Sequence, residues 1–515
     1  MKKQLLLLLS VLGLVDSIFL SWKHFKNIIP PCTGSIFSDC GQVLTSEYAY
    51  FFGLPLAYIG IIYYSILVLS LLIYLKSRNR KAIYIFIIAN SIGVFFSIYF
   101  VFLQLVVIRA ICTYCMLSAM ITFSIFGLWQ NIFNKEKKIL AVISTSFIYH
   151  HFLKRIFFLL NPEIIHNLMV KFGVLFGQIS IFRFFFKYLY VFEHKSLAQK
   201  IFGIDFKNPV GLAAGFDYNA QLMWILPSVG FGYQSVGTVT NHPFSGYKQM
   251  MLGRLPKSKS LYVNKGFKNI GSKKIIENLK NRSIEYPFGI SIGQTNDKRF
   301  VSTLDQAIDD IYFCFFSFNK SKVHFSYYEL NISCPNLKNG VDFYSPAKFA
   351  KLANKLKNLH LIKPVFIKMP INLSSDQILE ILNTASKYSF IKGIIIGNLQ
   401  KNRRHKSFDK EEISKFEGEP GSFSGLPTSE DGNRLIKFCF KHFKKRFVII
   451  GCGGIFSAQD AYKKIKLGAS LIQLITGMIY NGPQFAAEVN NGLDELLKKD
   501  RYKTIKEAIG VDVVS

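Results

Sequence analysis

Two side-chain amides flank a thiol in the segment Asn-Ile-Ser-Cys-Pro-Asn, which runs from Asn331 to Asn336. An apolar run ends at Leu330, and Pro335 cannot continue a central strand, so we expect Cys334 on a loop at the carboxyl end of a strand. A cysteine, with an ordinary pKa of about 8.5, can act as a general base or a nucleophile. The amides suit a planar substrate with amide and carboxylate edges. The alternative is a small buried hydrophobic residue in a turn.

A second pair of thiols, Cys112 and Cys115, opens an apolar run in a Cys-Thr-Tyr-Cys motif. At a helix N-terminus the exposed backbone amides lower the pKa of the first thiol, which favours a disulfide-exchange pair. Such a motif is also half of a zinc site. The other nearby pair, Cys32 and Cys40, is separated by seven residues near membrane depth and fits zinc poorly, so we expect no metal centre.

Composition predicts a membrane protein of two or three domains. The chain has 515 residues, 50% of them hydrophobic, with a formal charge of +31 and a mean hydropathy of +0.25. A basic balance suits nucleic acid or an anionic bilayer surface, and because no nucleic-acid recognition motif is present we expect no nucleic-acid partner. Four cysteines lie in the membrane-like part and four in the rest, which indicates two redox compartments.

Four apolar segments are long enough to cross a bilayer. They are residues 5–20, 51–75, 82–108 and 112–133. The first could be read as a signal peptide, but no small-residue cleavage site follows it, so we expect a retained helix. Basic residues at 2–3, 76–81 and 135–138 place both ends of this multi-pass region on the cytoplasmic side of the inner membrane, with the loop 23–50 outside.

Residues 4 to about 132 resemble the vitamin K epoxide reductase family. The resemblance rests on the four helices, the paired loop cysteines, the helical Cys-x-x-Cys motif, and the segments Asp-Cys-Gly-Gln-Val-Leu-Thr-Ser at 39–46 and Phe-Gly-Leu-Pro at 52–55. It implies that Cys112 and Cys115 exchange electrons with a membrane quinone. It further implies that Cys32 and Cys40 relay electrons from a thioredoxin-like thiol protein on the outer face, with disulfide formation as the net result in bacteria.

Residues 138–195 form a predicted connector that lies on the lipid bilayer. The segment is apolar but interrupted by charged residues, and its aromatic runs at 157–160 and 182–187 are typical of amphipathic helices in the membrane interface. Two such helices could frame an opening for a lipid-soluble quinone. The pair His150 and His151 could bind a metal, but an interfacial pair is the simpler interpretation.

Residues 196–515 are predicted to form a TIM barrel, an α/β fold of eight strands with intervening helices. The predicted strands are 208–213, 233–236, 288–292, 328–332, 365–368, 393–396, 448–450 and 471–474. Gly453 and Gly454 follow one of the last strands, and Thr476 and Gly477 follow the next. Loops at these positions commonly hold a phosphate on backbone amides, although a tight turn would use the same residues.

This half resembles dihydroorotate dehydrogenase from about residue 149 to 492. The resemblance is carried by Asn-Pro-Val-Gly-Leu-Ala-Ala-Gly-Phe-Asp at 208–217, by the segment at 331–336, and by further motifs at 236–240, 367–368, 397–398, 423–425, 450–455 and 468–473. The segment 158–163 resembles the N-terminal extension of the membrane-bound, quinone-reducing class. The whole chain is thus expected to comprise a transmembrane domain at 1–137, the connector, and an FMN-binding barrel.

The dehydrogenase resemblance implies a site for FMN and dihydroorotate. The implied cofactor-binding residues are Ala214, Gly215, Thr238, Ser291, Asn331, Lys368, Gly397, Gly425, Gly453, Gly454, Thr476 and Gly477. The implied substrate-binding residues are Asn264, Asn331, Asn336 and Asn398. Cys334 would take a proton from C5 of dihydroorotate while a hydride leaves C6, and the electrons would pass through FMN to a membrane quinone, giving orotate.

Several positions depart from the family pattern. Cys334 is the base of the soluble class, whereas the membrane class normally has serine. Tyr218 stands where a lysine is expected, and Lys265 is a candidate for the missing charge. Ser291 stands where asparagine is common, and Leu399 replaces a hydroxyl residue. Two alternatives therefore remain: an FMN barrel that acts on a different reduced heterocycle, or a non-catalytic barrel attached to a disulfide-forming membrane enzyme.

Overall fold

The computed structural model describes residues 2–32, 39–280, 282–284, 286–337 and 341–514. Within them the chain forms two compact units, Met1–Ala141 and Val142–Ser515.

The first unit is built from long apolar helices. Its helices are α1 (Lys2–Phe25), α2 (Cys40–Leu44), α3 (Leu56–Ser77), α4 (Arg80–Phe102) and α5 (Thr113–Ile132). In the described part of the chain, four of them are long and apolar enough to cross a membrane, with α4 extended by a π-helical turn to Ile108. Two short strands, β1 (Tyr50–Phe51) and β2 (Leu54–Pro55), pair antiparallel. The prediction of four long apolar helices is confirmed.

Polar side chains between these helices bond to one another rather than to lipid. The hydroxyl of Tyr64 donates to Ser118 O at 2.9 Å and lies 3.1 Å from Thr122 Oγ1. Trp129 Nε1 donates to Asn90 Oδ1 at 2.7 Å. Because a bilayer core offers no water, such internal bonds are what a helical membrane domain requires.

The second unit begins with an extension of helices that packs against a barrel. The extension comprises the part of α6 (Asn134–Ile148) that follows Ala141, with α7 (Lys154–Leu159), α8 (Pro162–Gln178) and α9 (Ser180–Tyr190). Asn161 accepts from the amides of Glu163 and Ile164 and caps α8, whose first residue is a proline, a favoured helix start. The axes of α8 and α9 are bent by 102°. Large apolar side chains such as Phe184 remain exposed on α9.

The barrel closes as predicted. The strands of this unit are β3 (Gln199–Ile201), β4 (Ile204–Phe206), β5 (Val210–Leu212), β6 (Tyr233–Val239), β7 (Leu252–Leu255), β8 (Ser260–Val263), β9 (Phe288–Ile292), β10 (Tyr327–Asn331), β11 (Val365–Met369), β12 (Ile391–Ile396), β13 (Ser422–Gly425), β14 (Val448–Cys452) and β15 (Leu471–Leu474). Eight of these described strands form a closed parallel barrel in the order β10-β11-β12-β14-β15-β5-β6-β9. All eight predicted strands are present, because each is a buried apolar run bounded by turn residues.

Helices alternate with the strands of this unit, and the longer ones bury their apolar faces. They are α10 (Ser272–Lys280), α11 (Leu304–Lys320), α12 (Pro346–Lys357), α13 (Ser375–Ser386), α14 (Lys410–Ser414), α15 (Ser429–Phe443), α16 (Ala458–Lys466), α17 (Thr476–Asn481), α18 (Phe485–Lys499) and α19 (Val511–Val514). Thr303 and Ser374 start α11 and α13 with reciprocal capping boxes. These caps satisfy amides that the first turn of a helix leaves unpaired.

A small antiparallel sheet beside the barrel was not predicted. Its order is β13-β8-β7. The three strands have four residues each, which is too short for an alternating pattern to stand out in the sequence. The sheet has a direct bearing on the site, because β8 leads into Asn264 and β13 carries Ser422 and Ser424.

Candidate active sites

Cys334 lies on the loop that follows β10, at the carboxyl end of the barrel strands, as the sequence predicts. Its side chain is partly buried and lines a cavity of about 150 Å³ together with Gln294, Tyr344 and Lys401. Burial raises the pKa of the Cys334 thiol to about 11, although the backbone amide of Asn336 lowers it. The thiol therefore holds its proton at neutral pH and becomes a stronger base once it is ionised.

A hydrogen-bonded network crosses four adjacent strands beneath this loop. Thr238 Oγ1 lies 3.0 Å from Ser291 Oγ, which donates to Glu329 Oε1 at 2.8 Å. Lys368 Nζ lies 3.5 Å from the same Glu329 oxygen. Asn331 Nδ2 donates to Thr238 Oγ1 at 2.8 Å. Strands β6, β9, β10 and β11 thus bring four predicted cofactor residues together.

The Lys368–Glu329 pair is almost completely shielded, with 5% and 0% of the side chains exposed. Burial acts to lower the pKa of Lys368, but Glu329 and Cys452 raise it and leave the pKa above its ordinary value. The ammonium group is therefore a fixed positive charge at the barrel mouth. Sequence reasoning missed Glu329, and the signal that could have revealed it is a single acidic residue within a buried apolar strand.

Side-chain amides surround the thiol. Asn398 Nδ2 donates to Ser333 Oγ at 2.5 Å, and Ser333 Oγ donates to Asn331 Oδ1 at 2.9 Å. Asn336 Nδ2 donates to Val263 O at 2.8 Å. Three predicted substrate residues thus meet around the Cys334 loop, with Ser333 as a linking residue that the sequence did not single out.

The fourth predicted substrate residue, Asn264, immediately follows the strand that holds Asn336. Its side chain is 1% exposed, and its Nδ2 has no hydrogen-bond partner among the described residues. A buried amide donor without a partner costs about 1–3 kcal/mol. A bound polar ligand is a physical reason for a protein to retain such a group.

Glycine-rich turns close the other side of the barrel mouth. Gly454 follows β14 with a φ of +67°, and a Cβ there would lie 2.6 Å from Ser429 Cα. Thr476 Oγ1 lies 2.8 Å from Ser424 Oγ, which places β13 beside the start of α17. Gly453 lies in the same turn as Gly454, Gly477 in the first turn of α17, and Gly425 at the end of β13. Backbone amides are left accessible in loops of this kind, as phosphate binding requires.

The remaining predicted cofactor residues follow two other strands. Ala214 is partly buried and Gly215 exposed after β5, so backbone at the barrel mouth is open to a ligand. Gly397 follows β12 with a φ of +129°, and a Cβ there would collide with the carbonyl of Cys452. Close packing against Cys452 therefore explains why residue 397 is a glycine.

Lys265 does not stand free as a substitute charge. Its Nζ lies 2.9 Å from Glu163 Oε2 and 4.9 Å from the centre of the Tyr218 ring. The ring of His166 lies 5.3 Å from that of Tyr218. The cation is thus close to the position of the missing lysine, but it is paired with a carboxylate from α8.

The helical unit places its four cysteines in two adjoining groups. Cys32 and Cys40 form a disulfide, while Cys112 and Cys115 are free. Cys112 is buried and packs with Cys40, and Thr113 Oγ1 donates to Cys32 Sγ at 3.7 Å. Cys115 lines a cavity of about 600 Å³ between the helices. The four cysteines therefore lie together, and Cys115 also borders the cavity.

In this chain a domain of long apolar helices with two pairs of cysteines precedes a parallel (β/α)8 barrel. The candidate site of the barrel lies at the carboxyl ends of its strands. Comparison with known families gives two matches. Residues 196–497 match the model of dihydroorotate dehydrogenase, and residues 4–129 match that of the vitamin K epoxide reductase family. The chain belongs to the dihydroorotate dehydrogenase family and carries an N-terminal domain of the vitamin K epoxide reductase family.

Individual relatives agree with this assignment. The dihydroorotate dehydrogenase (quinone) of Trichodesmium erythraeum is 34% identical over 334 residues, covering 63% of this chain and 85% of the relative. That of Sulfurovum is 34% identical over 361 residues, covering 70% and 97%. A crystal structure of DHODH from Eimeria tenella in complex with ferulenol matches with a TM-score of 0.60 at 24% identity, covering 68% of this chain and 96% of that one. The last of these bears on the fold alone.

Proposed function

We propose that the barrel oxidises dihydroorotate to orotate with bound FMN and passes the electrons to a membrane quinone. The observation that carries this proposal is the meeting of Cys334, a set of amides and a buried lysine at the barrel mouth. The printed activity of the relatives, dihydroorotate dehydrogenase (quinone), supports it.

The residues at the barrel mouth fit FMN. FMN, when bound, supplies a hydride acceptor that can release its electrons to a quinone. The positive charge of Lys368 suits the electron-rich edge of a flavin ring, and the exposed backbone of Gly215 leaves room for the ring. Thr238, Ser291 and Asn331 offer polar atoms beside that lysine. The turns at Gly453, Gly454, Thr476 and Gly477, with Gly425, suit a phosphate.

Cys334 acts in this proposal as the base that takes the proton from C5 of the substrate. Asn331, Asn336 and Asn398 hold the planar ring and its carboxylate, and the unpartnered Nδ2 of Asn264 gains a substrate oxygen. The fixed amides orient the substrate so that C5 lies close to the sulfur. Such positioning accounts for a large part of the acceleration in reactions of this kind.

The extension offers the quinone a path to the barrel mouth. Glu163 and His166 on α8 lie against Lys265 and Tyr218, so the apolar helices reach the same end of the barrel. Exposed aromatic side chains on α9 suit insertion into a bilayer surface. We infer that α8 and α9 rest in the membrane and guide quinone toward the site.

The helical domain is proposed to oxidise thiols and to reduce a quinone. The packing of Cys112 and Cys40 in one apolar cluster supports thiol–disulfide exchange between the helical pair and the Cys32–Cys40 disulfide. A thioredoxin-like protein on the outer face would donate electrons to that disulfide. The basic residues at both ends of the domain support a cytoplasmic-membrane location with the barrel on the cytoplasmic side.

Flavin content and its reduction test the barrel assignment. The purified full chain should show FMN absorbance, and dihydroorotate added without oxygen should bleach it. Flavin that stays oxidised would favour a different reduced heterocycle as substrate, a possibility raised by Tyr218. Protein without flavin would favour a non-catalytic barrel.

A further inference from the structure

Asp16 is the sole acidic residue in the sequences of the four spanning helices. It lies in the middle of α1 and is 8% exposed. Its Oδ2 is buried and has no hydrogen-bond partner among the described residues. A carboxyl group in this state is costly within a membrane, and ionisable residues retained there commonly belong to ion or proton pathways.

The cavity that contains Cys115 also contains Asp16. Tyr63 and Tyr64 line the same space, and Lys23 and His24 line it near the end of α1. Eight residues separate Asp16 from His24, which corresponds to about 12 Å along a helix. Asp16 and Cys115 thus line one and the same cavity of about 600 Å³.

We propose that Asp16 transfers a proton between the Cys115 thiol and a quinone bound in this cavity. The proposal rests on the thiol–quinone activity proposed above for the helical domain. Oxidation of the Cys112–Cys115 pair breaks two S–H bonds and forms one S–S bond, and the two electrons reduce the quinone. The two thiol protons end on the two quinone oxygens. Asp16 begins and ends this cycle protonated: it gives its proton to one quinone oxygen and regains one from Cys115.

The barrier to the reaction explains the need for such a group. Reduction of a quinone in a membrane cavity places negative charge on its oxygens, and without a nearby acid that charge develops in an apolar space. Positioned general acids and bases contribute typically about 10²- to 10⁴-fold to the rate. A purely structural role would leave the buried Oδ2 of Asp16 without a hydrogen bond, because that oxygen has no partner among the described residues.

A single-turnover experiment on the full chain in detergent tests the proposal. The helical thiols are reduced with dithiothreitol, the reductant is removed, and decylubiquinone is added while its absorbance is followed. Asp16→Asn should slow quinone reduction by about 100-fold or more with unchanged quinone affinity, whereas Asp16→Glu should retain most of the rate. Exchange of the Cys32–Cys40 disulfide with an added dithiol should stay as in the unaltered chain.

Ser10→Ala is the matched control. Ser10 is another buried polar residue of α1, but its hydroxyl donates to Leu6 O at 2.8 Å and it does not line the cavity. The Ser10→Ala variant should reduce quinone at the same rate as the unaltered chain. Quinone reduction by Asp16→Asn at the unaltered rate, or a loss confined to quinone affinity, would overturn the role of Asp16. An unaltered chain that exchanges disulfides but does not reduce the quinone would instead refute the activity proposed for the domain.

Discussion

Lys265 Nζ lies 2.9 Å from Glu163 Oε2, and the two side chains are only 7% and 20% exposed. The lysine follows β8 beside the barrel, and the glutamate lies in the first turn of α8. Lys268 Nζ reaches the other oxygen of Glu163 at 3.2 Å. A shielded ion pair therefore fixes the extension to the barrel mouth. Burial lowers the pKa of Lys265 to about 8, and Glu163 opposes that shift.

Removal of this carboxylate should loosen the extension. Glu163→Gln leaves the Lys265 ammonium buried without its partner, which should lower the free energy of unfolding by about 2–3 kcal/mol. The effect is smaller than for a fully buried pair because Glu163 keeps some exposure. A urea titration of the solubilised chain measures it. Glu411→Gln is the control, since Glu411 lies equally close to Lys257, at 2.9 Å, but with both side chains exposed. A loss of stability as large in the control would refute the importance of burial.

Turnover with dihydroorotate should rise with pH. A base must be deprotonated to act, and burial sets the pKa of Cys334 at about 11. As long as the pH is below this pKa, the thiolate fraction should increase about tenfold for each unit by which the pH rises, and kcat should increase with it. A pH–rate profile measures the slope. Cys439→Ala removes another buried thiol, outside the site, and should leave the profile unchanged. A flat profile for the unaltered chain would argue against a thiol base with a raised pKa.

Flavin retention should depend on Lys368. Lys368→Met removes a charge-assisted contact worth about 1.5–3 kcal/mol, so FMN affinity should fall by about ten- to a hundredfold. Fluorescence of flavin released into the dialysate measures it. Glu329→Gln added to Lys368→Met should restore stability, because no charge then stays unpaired, but not flavin binding. Lys464→Met replaces another buried lysine, bonded to Asn433 at 2.9 Å, and should keep its flavin.

The turn at Gly454 should reject a side chain for two separable reasons. Gly454→Ala places a Cβ 2.6 Å from Ser429 Cα in a residue with positive φ, whereas Gly418→Ala meets a similar φ of +79° with nothing within 4 Å. The conformational cost alone is about 1–2 kcal/mol. Both variants should therefore lose stability in thermal unfolding, and only Gly454→Ala should also lose FMN. Equal flavin content in the two would show that this turn does not contact the phosphate.

The barrel and the position of its thiol could be predicted because their signals are local. Each barrel strand is a continuous apolar run, and Pro335 marks the strand end after which Cys334 lies on a loop. Such patterns can be recognised within a few consecutive residues. The amides at Asn331, Asn336 and Asn398 were found through motifs that also lie next to strand ends.

Partners distant in sequence could not be predicted. Glu329 meets Lys368 across two neighbouring strands, and the pairing depends on barrel register. Glu163 meets Lys265 only after α8 docks on the barrel. The sequence identified Lys265 as a candidate for the missing positive charge, and the structure shows that it is paired with Glu163. Such contacts arise from tertiary packing, which a residue pattern does not encode.

The most direct test of the proposed activity is dihydroorotate-dependent reduction of decylubiquinone by the full chain in detergent. The unaltered chain should catalyse it, Cys334→Ser should retain a part of the activity because a hydroxyl can still accept a proton, and Cys334→Ala should lose about 100-fold or more while keeping its flavin. A chain that holds FMN but transfers no electrons from dihydroorotate to the quinone, or a Cys334→Ala variant as active as the unaltered chain, would contradict the account.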